Sequence, residues 1–326
     1  MVKNIINPDI YHGNNKRSNF FEGWYFKLVD KNRTKVLALI PGIYHGKSQE
    51  NSHSFIQILQ GYKANYNYKR FAKDEFASKS NKEFNISIAN NRFSLKEISL
   101  NIKDDTHNIT GGITFKNVVK WPDSIINPGS MGYYNFIPFM QCYSQVSVMD
   151  MDLQGSLYIN GEEIDFNGGK GYVEKNWGSD FPYSWIWVQC NTFENRKASI
   201  SCSIGHIPFW VTSFRGFLIG LYIEDKFYKF TTINKSTLTI VQNATDVIIT
   251  TENRKYKLII ETKTDKKDFM LCMGPREDKM IPLVEENLKG AVKVTLIDKT
   301  IHKTIFCEEG LCCGIEYGGN QRMILK

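Results

Sequence analysis

Apolar and polar residues alternate with a period of two over much of this chain. The alternation is clearest in His53–Leu59, Phe84–Ile88, Ala198–Ile204 and Lys255–Glu261. A period of two predicts β-strands that bury one face and leave the other face polar. We therefore expect a chain built mainly of strands.

Short polar segments separate these strands. Asp30–Arg33, Ile159–Glu162 and Glu224–Lys226 lie between strand-like runs and carry the Asn, Asp and Gly residues typical of hairpin tips. Consecutive strands should therefore pair antiparallel. Helix is predicted only at Pro282–Lys289, where Gly290 follows as a C-terminal stop.

The sequence also matches itself at an offset of half its length. Trp24 and Trp187 are 163 residues apart, and Asn32–Arg33 and Asn195–Arg196 share that offset. Each match contains an aromatic strand, a polar tip and a second apolar strand. The match predicts two β-barrel-like halves, each opened by an equivalent hairpin.

Length and composition agree with two folded domains. A chain of 326 residues with 42% hydrophobic and 23% charged residues can bury two cores and is not typical of a disordered protein. The aromatic content of 13% suits β-structure. We place the N-terminal domain at 1–168 and the C-terminal domain at 169–326.

The net charge of +7 does not by itself indicate a nucleic-acid partner, because the Lys and Arg residues are mostly scattered. Only Tyr62–Phe71 interleaves rings with positive charge, a pattern that single-stranded nucleic acid can use. An exposed hairpin is the favoured interpretation of that segment. We expect no nucleic-acid partner.

The seven cysteines are an odd number without Cys-x-x-Cys spacing, which supports neither a disulfide framework nor a zinc site. Buried free thiols are expected instead. The histidines are dispersed, so no metal ligand set is predicted, and no cofactor is expected.

The N-terminus lacks the apolar core of a signal peptide, which predicts a cytoplasmic location. The apolar stretch Ile207–Ile223 contains Arg215 and two glycines, so it is too short and too interrupted to span a bilayer as a helix. Peripheral contact with a membrane stays open.

Gly168–Pro182 holds the densest group of candidate functional residues. If Gly171–Trp177 is extended, Tyr172, Glu174 and Asn176 project from one face and present a phenol, a carboxyl and an amide. The glycines do not form a phosphate loop, because no Lys-Ser/Thr follows them before a helix.

A second candidate, Glu22, lies among aromatic residues in Phe20–Lys27. A carboxyl buried among rings has a raised pKa and can act as a protonated donor near neutral pH. The alternative, an ion pair or a backbone cap, is favoured because structural ion pairs also perturb carboxyls.

Taken together, the motifs resemble those of the tocopherol cyclase family and its bacterial relatives. Carotenoid hydratases and lipocalin-like pericyclic cyclases are more distantly similar. The resemblance implies an all-β protein of two lipocalin-like antiparallel β-barrels with little helix and a ligand cavity. The matching segments are Phe21–Val29, Ile40–Ile43, His53–Gln57, Phe139–Tyr143, Gly168–Gly178, Phe181–Pro182, Trp185–Trp187 and Phe214–Phe217.

The activity that the resemblance implies is acid-catalysed addition of an oxygen nucleophile across a prenyl double bond. Cyclases close a chromanol ring in this way, and hydratases add water. An alkene is a weak base, so the reaction needs a protonated carboxyl in an apolar pocket and rings that face the cation. A Tyr-x-Asp pair is implicated in the hydratases, and Tyr172-Val173-Glu174 matches it with Glu in place of Asp. The resemblance thus implies Glu174 as proton donor and Tyr172 as its orienting partner.

Further substrate contacts are expected among the polar and aromatic residues near the matching segments. For each tryptophan, an ordinary place in a barrel core is an equally good interpretation. The candidates are Glu22, Trp24, Tyr25, His53, Gln57, Tyr143, Asn176, Trp177, Trp185, Trp187 and Gln189.

One segment departs from the family pattern. Relatives commonly carry Glu-Cys-Tyr-His where this chain has Gln141-Cys142-Tyr143-Ser144, so a carboxylate and an imidazole are both missing. The first hypothesis is a cofactor-independent cyclase or hydratase acting on a hydrophobic molecule such as a prenyl quinol. The second is a non-catalytic lipocalin-like carrier of an isoprenoid or lipid, and a weaker third is a binder of nucleic acid or membrane surfaces driven by positive charge.

Overall fold

A computed structural model of the chain describes residues 5–104, 107–138, 140–209 and 212–325. The described residues are mostly β-strand, as the period of two predicts. Strands of the first half are β1 (Phe20–Val29), β2 (Val36–His45), β3 (His53–Gln60), β4 (Asn65–Phe71), β5 (Phe76–Ser78), β6 (Asn85–Ile88), β7 (Asn91–Ser94), β8 (Glu97–Lys103), β9 (Asn108–Val119), β10 (Cys142–Ile159), β11 (Glu162–Asp165) and β12 (Lys170–Gly178).

The second half repeats this arrangement of strands and ends in a short helix, α1 (Arg322–Leu325). Its strands are β13 (Ser184–Cys190), β14 (Ala198–Phe209), β15 (Thr212–Ile223), β16 (Lys226–Thr231), β17 (Thr237–Asn243), β18 (Asp246–Glu252), β19 (Tyr256–Lys263), β20 (Phe269–Arg276), β21 (Lys279–Asp298) and β22 (Lys303–Gly319).

The strands form two antiparallel sheets with the same topology. The first has the order β4-β3-β2-β1-β12-β10-β9-β8-β7-β6-β5, with β11 paired to β10. The second has the order β16-β15-β14-β13-β22-β21-β19-β18-β17, with β20 paired to β21. In each half the last long strand pairs beside the first strand, so β1–β2 and β13–β14 are equivalent opening hairpins, as the internal match predicts.

The chain divides into two compact units. The first comprises Met1–Gln60, Asn65–Phe181 and Met273–Pro282, and the second comprises Gly61–Ala64, Pro182–Cys272 and Leu283–Lys326. The predicted boundary between residues 168 and 169 is therefore corrected to Phe181 and Pro182. Strand β12 belongs to the first unit because it pairs with both β1 and β10.

The two matched tryptophans are not equivalent at the level of side chains. In the first unit, Trp24 and Phe26 face the core, where their rings lie 4.9 Å and 6.0 Å from that of Phe84. In the second unit the core is built from Ile186 and its alternate neighbours in β13. Trp187 therefore faces away from that core. Side chains in a strand alternate, so a shift of one residue reverses the face; the match of 163 residues locates the hairpin but not the register.

The segment predicted as a helix is a strand. Pro282–Lys289 lies within β21, where Val284 pairs with Gly318 and Glu286 pairs with Glu316 of β22. A ladder to a distant strand overrides the local helical preference of so short a segment. The predicted hairpin tips are confirmed: β10 and β11 meet at a tight turn in which Asn160 and Gly161 both have positive φ.

All seven cysteines are free thiols, as expected. Five are buried, Cys142 is half-buried and Cys307 is exposed. Across the described ranges, no helix has the length and hydrophobicity needed to cross a bilayer. The motif residue Phe139, and Trp210 and Val211 of the apolar stretch, lie outside the described residues.

Candidate functional site

Strand β12 presents different chemistry on its two faces. Because β12 lies between β1 and β10, it is a central strand of the first sheet, and its side chains point alternately to the two sides of that sheet. Val173, Lys175 and Trp177 point to the core side. Tyr172, Glu174 and Asn176 point to the opposite side, which we name the Glu174 face. It includes Phe21, Tyr25, Lys27, Tyr44, His53, Phe55, Gln57, Tyr66, Tyr68, Arg70, Ser144, Tyr172, Glu174 and Asn176.

The carboxyl group of Glu174 is held by two donors from its own strand. Tyr172 Oη donates to Oε2 at 2.7 Å, and Asn176 Nδ2 donates to Oε1 at 3.2 Å. Glu174 is 6% exposed and Tyr172 is fully buried. Since residues i and i+2 of a strand share a face, the extended Tyr-Val-Glu-Lys-Asn sequence is sufficient to bring these three side chains together.

Strand β1 supplies two neighbours on this face. Tyr25 lies directly opposite Glu174, and Lys27 lies opposite Tyr172. Lys27 is 0% exposed although it carries an amine, and it is not among the predicted site residues. The available signal was its position in a strand whose other residues, apart from Glu22, are apolar, where a lysine must be buried or face a polar site.

A second polar group lies farther along the same face. His53 Nδ1 is 2.7 Å from the carbonyl oxygen of Asn51, and its Nε2 is 2.6 Å from Tyr68 Oη. Because a carbonyl only accepts, Nδ1 carries the proton and Nε2 accepts from Tyr68. Burial lowers the pKa of His53, so the ring is neutral near neutral pH.

Gln57 also points to the Glu174 face. Its Oε1 accepts a hydrogen bond from Tyr66 Oη at 2.5 Å, and the same hydroxyl accepts one from the backbone N–H of Met273 at 2.9 Å. Tyr66 and Tyr68 belong to the segment that interleaves rings with positive charge. Tyr66 and Tyr68 lie on this face of the first sheet, and the segment forms a hairpin with β3.

The core side of β12 holds a buried ion pair. Lys175 Nζ lies 2.6 Å from Glu22 Oε1, and both side chains are fully buried. The backbone N–H of His12 donates to Glu22 Oε2 at 2.8 Å. Burial raises the pKa of Glu22, but the charge of Lys175 and the bonds from His12 outweigh that effect and lower it. The ion-pair alternative is confirmed, and Glu22 is not a protonated donor.

Rings pack around this ion pair. The ammonium of Lys175 lies 4.7 Å from the ring centroid of Trp177 and 5.2 Å from that of Trp24. Trp177 stacks on His12 on one side, at 4.4 Å, and on Tyr143 on the other, at 5.3 Å. Glu22, Trp24, Tyr143 and Trp177 thus lie on the core side and are not brought together with Glu174.

The remaining predicted residues lie in the second unit. Trp185, Trp187 and Gln189 share the face of β13 that points away from the core of that unit. Trp185 Nε1 donates to Glu316 Oε1 at 2.7 Å. Glu316 lies opposite Trp187, as Glu174 lies opposite Tyr25. Each unit therefore carries a glutamate on the non-core face of its last long strand; no motif in the sequence pointed to Glu316.

An open depression on the second unit has a volume of about 640 Å³. Its lining includes Lys226, Tyr228, Lys255, Tyr256 and Asp298. It contains none of the candidate residues, so it is a separate surface feature. Among the described residues, no group of three or more His, Cys, Asp and Glu side chains is placed to hold a metal ion.

Comparison with known proteins decides the family. The family model "Tocopherol cyclase-like" matches residues 95–319. The chain belongs to this family. The match covers most of the chain, including β12 with Tyr172 and Glu174, and confirms the resemblance drawn from the motifs.

Two curated plant proteins are similar to part of this tocopherol cyclase-like chain. A probable chloroplastic tocopherol cyclase of Oryza sativa subsp. japonica is 25% identical over 172 residues, which is 52% of this chain and 37% of that protein. The chloroplastic tocopherol cyclase of Zea mays is 24% identical over 172 residues, 52% of this chain and 36% of that protein. The match thus spans little more than a third of the length of these relatives.

Solved structures share the fold. The crystal structure of CghA with Sch210972 has a TM-score of 0.61 at 10% identity and covers 92% of this chain and 89% of its own. A putative AttH from Nitrosomonas europaea has a TM-score of 0.51 at 12% identity, covering 92% of each chain. Kievitone hydratase from Nectria haematococca has a TM-score of 0.50 at 13% identity, covering 97% and 94%. These likenesses support the predicted lipocalin-like fold class.

The departure from the family pattern lies at the site itself. Ser144, at the position where the motif resemblance leads us to expect His, is opposite Asn176 and points to the Glu174 face. Its backbone N–H donates to Met131 Sδ at 3.0 Å. This tocopherol cyclase-like chain therefore has a hydroxyl in place of an imidazole, one strand away from the amide that holds Glu174.

Proposed function

We propose that this protein is an acid catalyst that adds an oxygen nucleophile across a double bond of a prenylated hydrophobic substrate on the Glu174 face. The observation that carries the proposal is the Glu174 carboxyl with one donor on each oxygen, among buried rings. The family and the Tyr-x-Glu sequence support the same chemistry. The substrate class, a prenyl quinol or a similar isoprenoid in an apolar cavity, is part of the proposal.

In the first step, protonated Glu174 transfers its proton to one alkene carbon, and the other carbon becomes a tertiary cation. The carboxylate left behind accepts hydrogen bonds from Tyr172 and Asn176, which are already in place. Donors preorganised for a charge that develops during reaction lower the barrier. Tyr25, directly opposite Glu174, offers a ring toward the cation.

In the second step, an oxygen atom adds to the cation. If the oxygen belongs to a phenol of the substrate, a ring closes; if it belongs to water, an alcohol forms. The resulting oxonium returns its proton to Glu174, which restores the starting state. The scheme consumes no oxidant or reductant, and the residues that it uses are Glu174, Tyr172, Asn176 and Tyr25.

A second candidate function is the carrier. Ser144 occupies the place of the family's imidazole, and His53, on the same face, is kept neutral by burial and is hydrogen-bonded to Asn51 and Tyr68. A face that carries the Ser144 hydroxyl where the resemblance leads us to expect an imidazole suits binding of an isoprenoid or lipid without turnover. A cytoplasmic protein that draws such a molecule from a membrane surface would fit either function.

The deciding experiment incubates the purified protein with a prenylated hydroquinone in D₂O and analyses the products by mass spectrometry. Cyclisation incorporates one non-exchangeable deuterium without adding water, and hydration adds water as well. Glu174→Gln should abolish both products while Glu97→Gln, an exposed glutamate of β8, should form them normally. Binding without product in the wild type, unchanged in Glu174→Gln, would establish the carrier instead.

A further inference from the structure

The Glu174 face carries a buried hydroxyl that the proposed chemistry does not use. Tyr44 is 0% exposed, and its Oη has no hydrogen-bond partner among the described residues. A buried polar atom left unpaired is costly, so such an atom is expected to have a role. Tyr44 lies in β2 opposite His53, which holds Tyr68 at 2.6 Å.

The surroundings of Tyr44 favour a neutral polar ligand. Burial, followed by the negative charges of Asp278 and Asp180, raises the pKa of Tyr44, so the phenol keeps its proton. A charged ligand would meet charges of both signs, because Asp180 and Asp278 act on Tyr44 whereas Arg70 acts on His53 and Tyr68. A hydroxyl or carbonyl group, in contrast, can accept a hydrogen bond from Tyr44 without a charge of its own.

An apolar floor lies between Tyr44 and Glu174. The Phe55 ring rests over Gly42, where an added Cβ would be 2.3 Å from its Cζ, and it reaches to 3.9 Å from the equivalent position at Gly23. Phe21, Tyr44 and Phe55 pack as one buried cluster. The face is therefore polar at two ends and aromatic between them.

The spacing of the two polar ends follows from the strand register. Tyr44 of β2 lies opposite Phe21 of β1. Glu174 of β12, which flanks β1 on its other edge, lies opposite Tyr25 of β1. Two strand spacings of about 4.8 Å and four residues of about 3.3 Å each place the two positions about 16 Å apart. A phenol whose hydroxyl lies at Tyr44 thus keeps the first double bond of its prenyl chain away from Glu174.

We infer that Tyr44, with His53 and Tyr68, is a binding site for the neutral hydroxyl or carbonyl head of a prenylated ligand, and that Glu174 acts on a double bond in its distal tail. The inference deepens the proposed function and rests on it for the reaction. It selects water as the oxygen nucleophile, because the phenol oxygen is held at the far end of the face. Tyr44 is a binding residue and takes no part in proton transfer.

The head-group site is tested by binding alone, on the full chain carrying Glu174→Gln. The probes are a geranylgeranyl hydroquinone and the corresponding geranylgeranylbenzene, which lacks both oxygens and cannot accept a hydrogen bond from Tyr44. Tyr44→Phe should weaken binding of the hydroquinone about three- to tenfold and leave binding of the geranylgeranylbenzene nearly unchanged. Tyr158→Phe, an exposed tyrosine of β10, is the matched control and should change neither.

Tyr68→Phe provides a second variant, because it removes the hydrogen bond to His53 Nε2 and leaves Tyr44 unchanged. It should weaken binding of the hydroquinone less than Tyr44→Phe does. The head-group site is overturned if Tyr44→Phe weakens binding of both probes equally or of neither probe. It is also overturned if the protein binds neither probe. If the hydroquinone is selected but the wild type makes no product, the head-group site stands and the enzyme proposal fails.

The position of the reaction is tested separately, in the wild type in D₂O. Deuterium in the distal isoprene units, together with added water, is the expected result. Deuterium in a newly closed ring beside the phenol overturns the distal-tail inference while supporting acid catalysis by Glu174.

Discussion

Glu174 and Lys175 follow one another in β12 but face opposite sides of the first sheet. Glu174 is held by Tyr172 and Asn176 on one side, while Lys175 is paired with Glu22 at 2.6 Å on the other. The two adjacent side chains therefore have different partners and different environments. Lys175 is bound to the core of the first unit, whereas the Glu174 side chain points to the opposite face of the sheet, away from Lys175.

Tyr172→Phe should slow the reaction without weakening substrate binding. In the proposed reaction the hydroxyl of Tyr172 stabilises the carboxylate that forms during proton transfer, so its loss should affect kcat and leave KM nearly unchanged. A hydrogen bond to a charged group is worth about 1.5–3 kcal/mol, which predicts a fall in kcat of about ten- to hundredfold. Steady-state kinetics with the prenylated hydroquinone measure both constants. An increase in KM with normal kcat would show that Tyr172 only contacts the substrate.

Lys175→Met should destabilise the first unit strongly. The substitution leaves the Glu22 carboxylate buried and without its ammonium partner, which costs about 3–5 kcal/mol. Glu22→Gln combined with Lys175→Met removes both charges and should recover much of this loss. Urea unfolding of the wild type, the two single variants and the double variant measures the coupling. Additive losses would mean that the ion pair contributes no coupling free energy.

Acidification should destabilise the protein through His45. Burial, helped by the charge of Lys73, lowers the pKa of His45 from 6.5 to about 4, and its Nε2 is 3.1 Å from Tyr11 Oη. Between these values the unfolded chain binds a proton that the folded chain does not, so stability falls as the pH drops from 6.5 toward 4. Urea unfolding at intervals of pH, with His45→Gln for comparison, measures this. Parallel curves for the two proteins would contradict the assignment.

Gly42→Ala should disturb the aromatic floor of the Glu174 face. The new Cβ would lie 2.3 Å from Phe55 Cζ and 2.8 Å from the carbonyl oxygen of Glu22, so the Phe55 ring must move. Overpacking of this kind costs about 1–3 kcal/mol, and hydroquinone binding should weaken with it. Gly112→Ala, where the nearest atom is 3.4 Å away, is the control. Thermal unfolding and ligand titration of both variants provide the comparison.

Much of the architecture is determined by local pattern. The period of two in segments such as His53–Leu59 predicted strands that the structure contains, and the Asn160-Gly161 tip closes the hairpin expected there. The alternation of a strand also placed Tyr172, Glu174 and Asn176 together correctly. These features depend on residues within one segment, so the sequence of that segment is sufficient to predict them.

Other features depended on pairing between distant segments. Whether Trp24 shares a face with Glu174 depends on the register of β1 against β12, and a register cannot be read from either strand alone. The same is true of β12 belonging to the first unit and of Pro282–Lys289 extending as a strand beside β22.

The sequence by itself thus determined the all-β class, the two equivalent hairpins and the Tyr-x-Glu-x-Asn row that holds the candidate acid. Only the tertiary structure decided that Glu22 pairs with Lys175, and that Lys27 and Tyr44 are buried on the Glu174 face. The physical reason is that a side chain's own strand sets its alternation, whereas its burial and its partners are set by strands that are distant in sequence and by the register in which they pair.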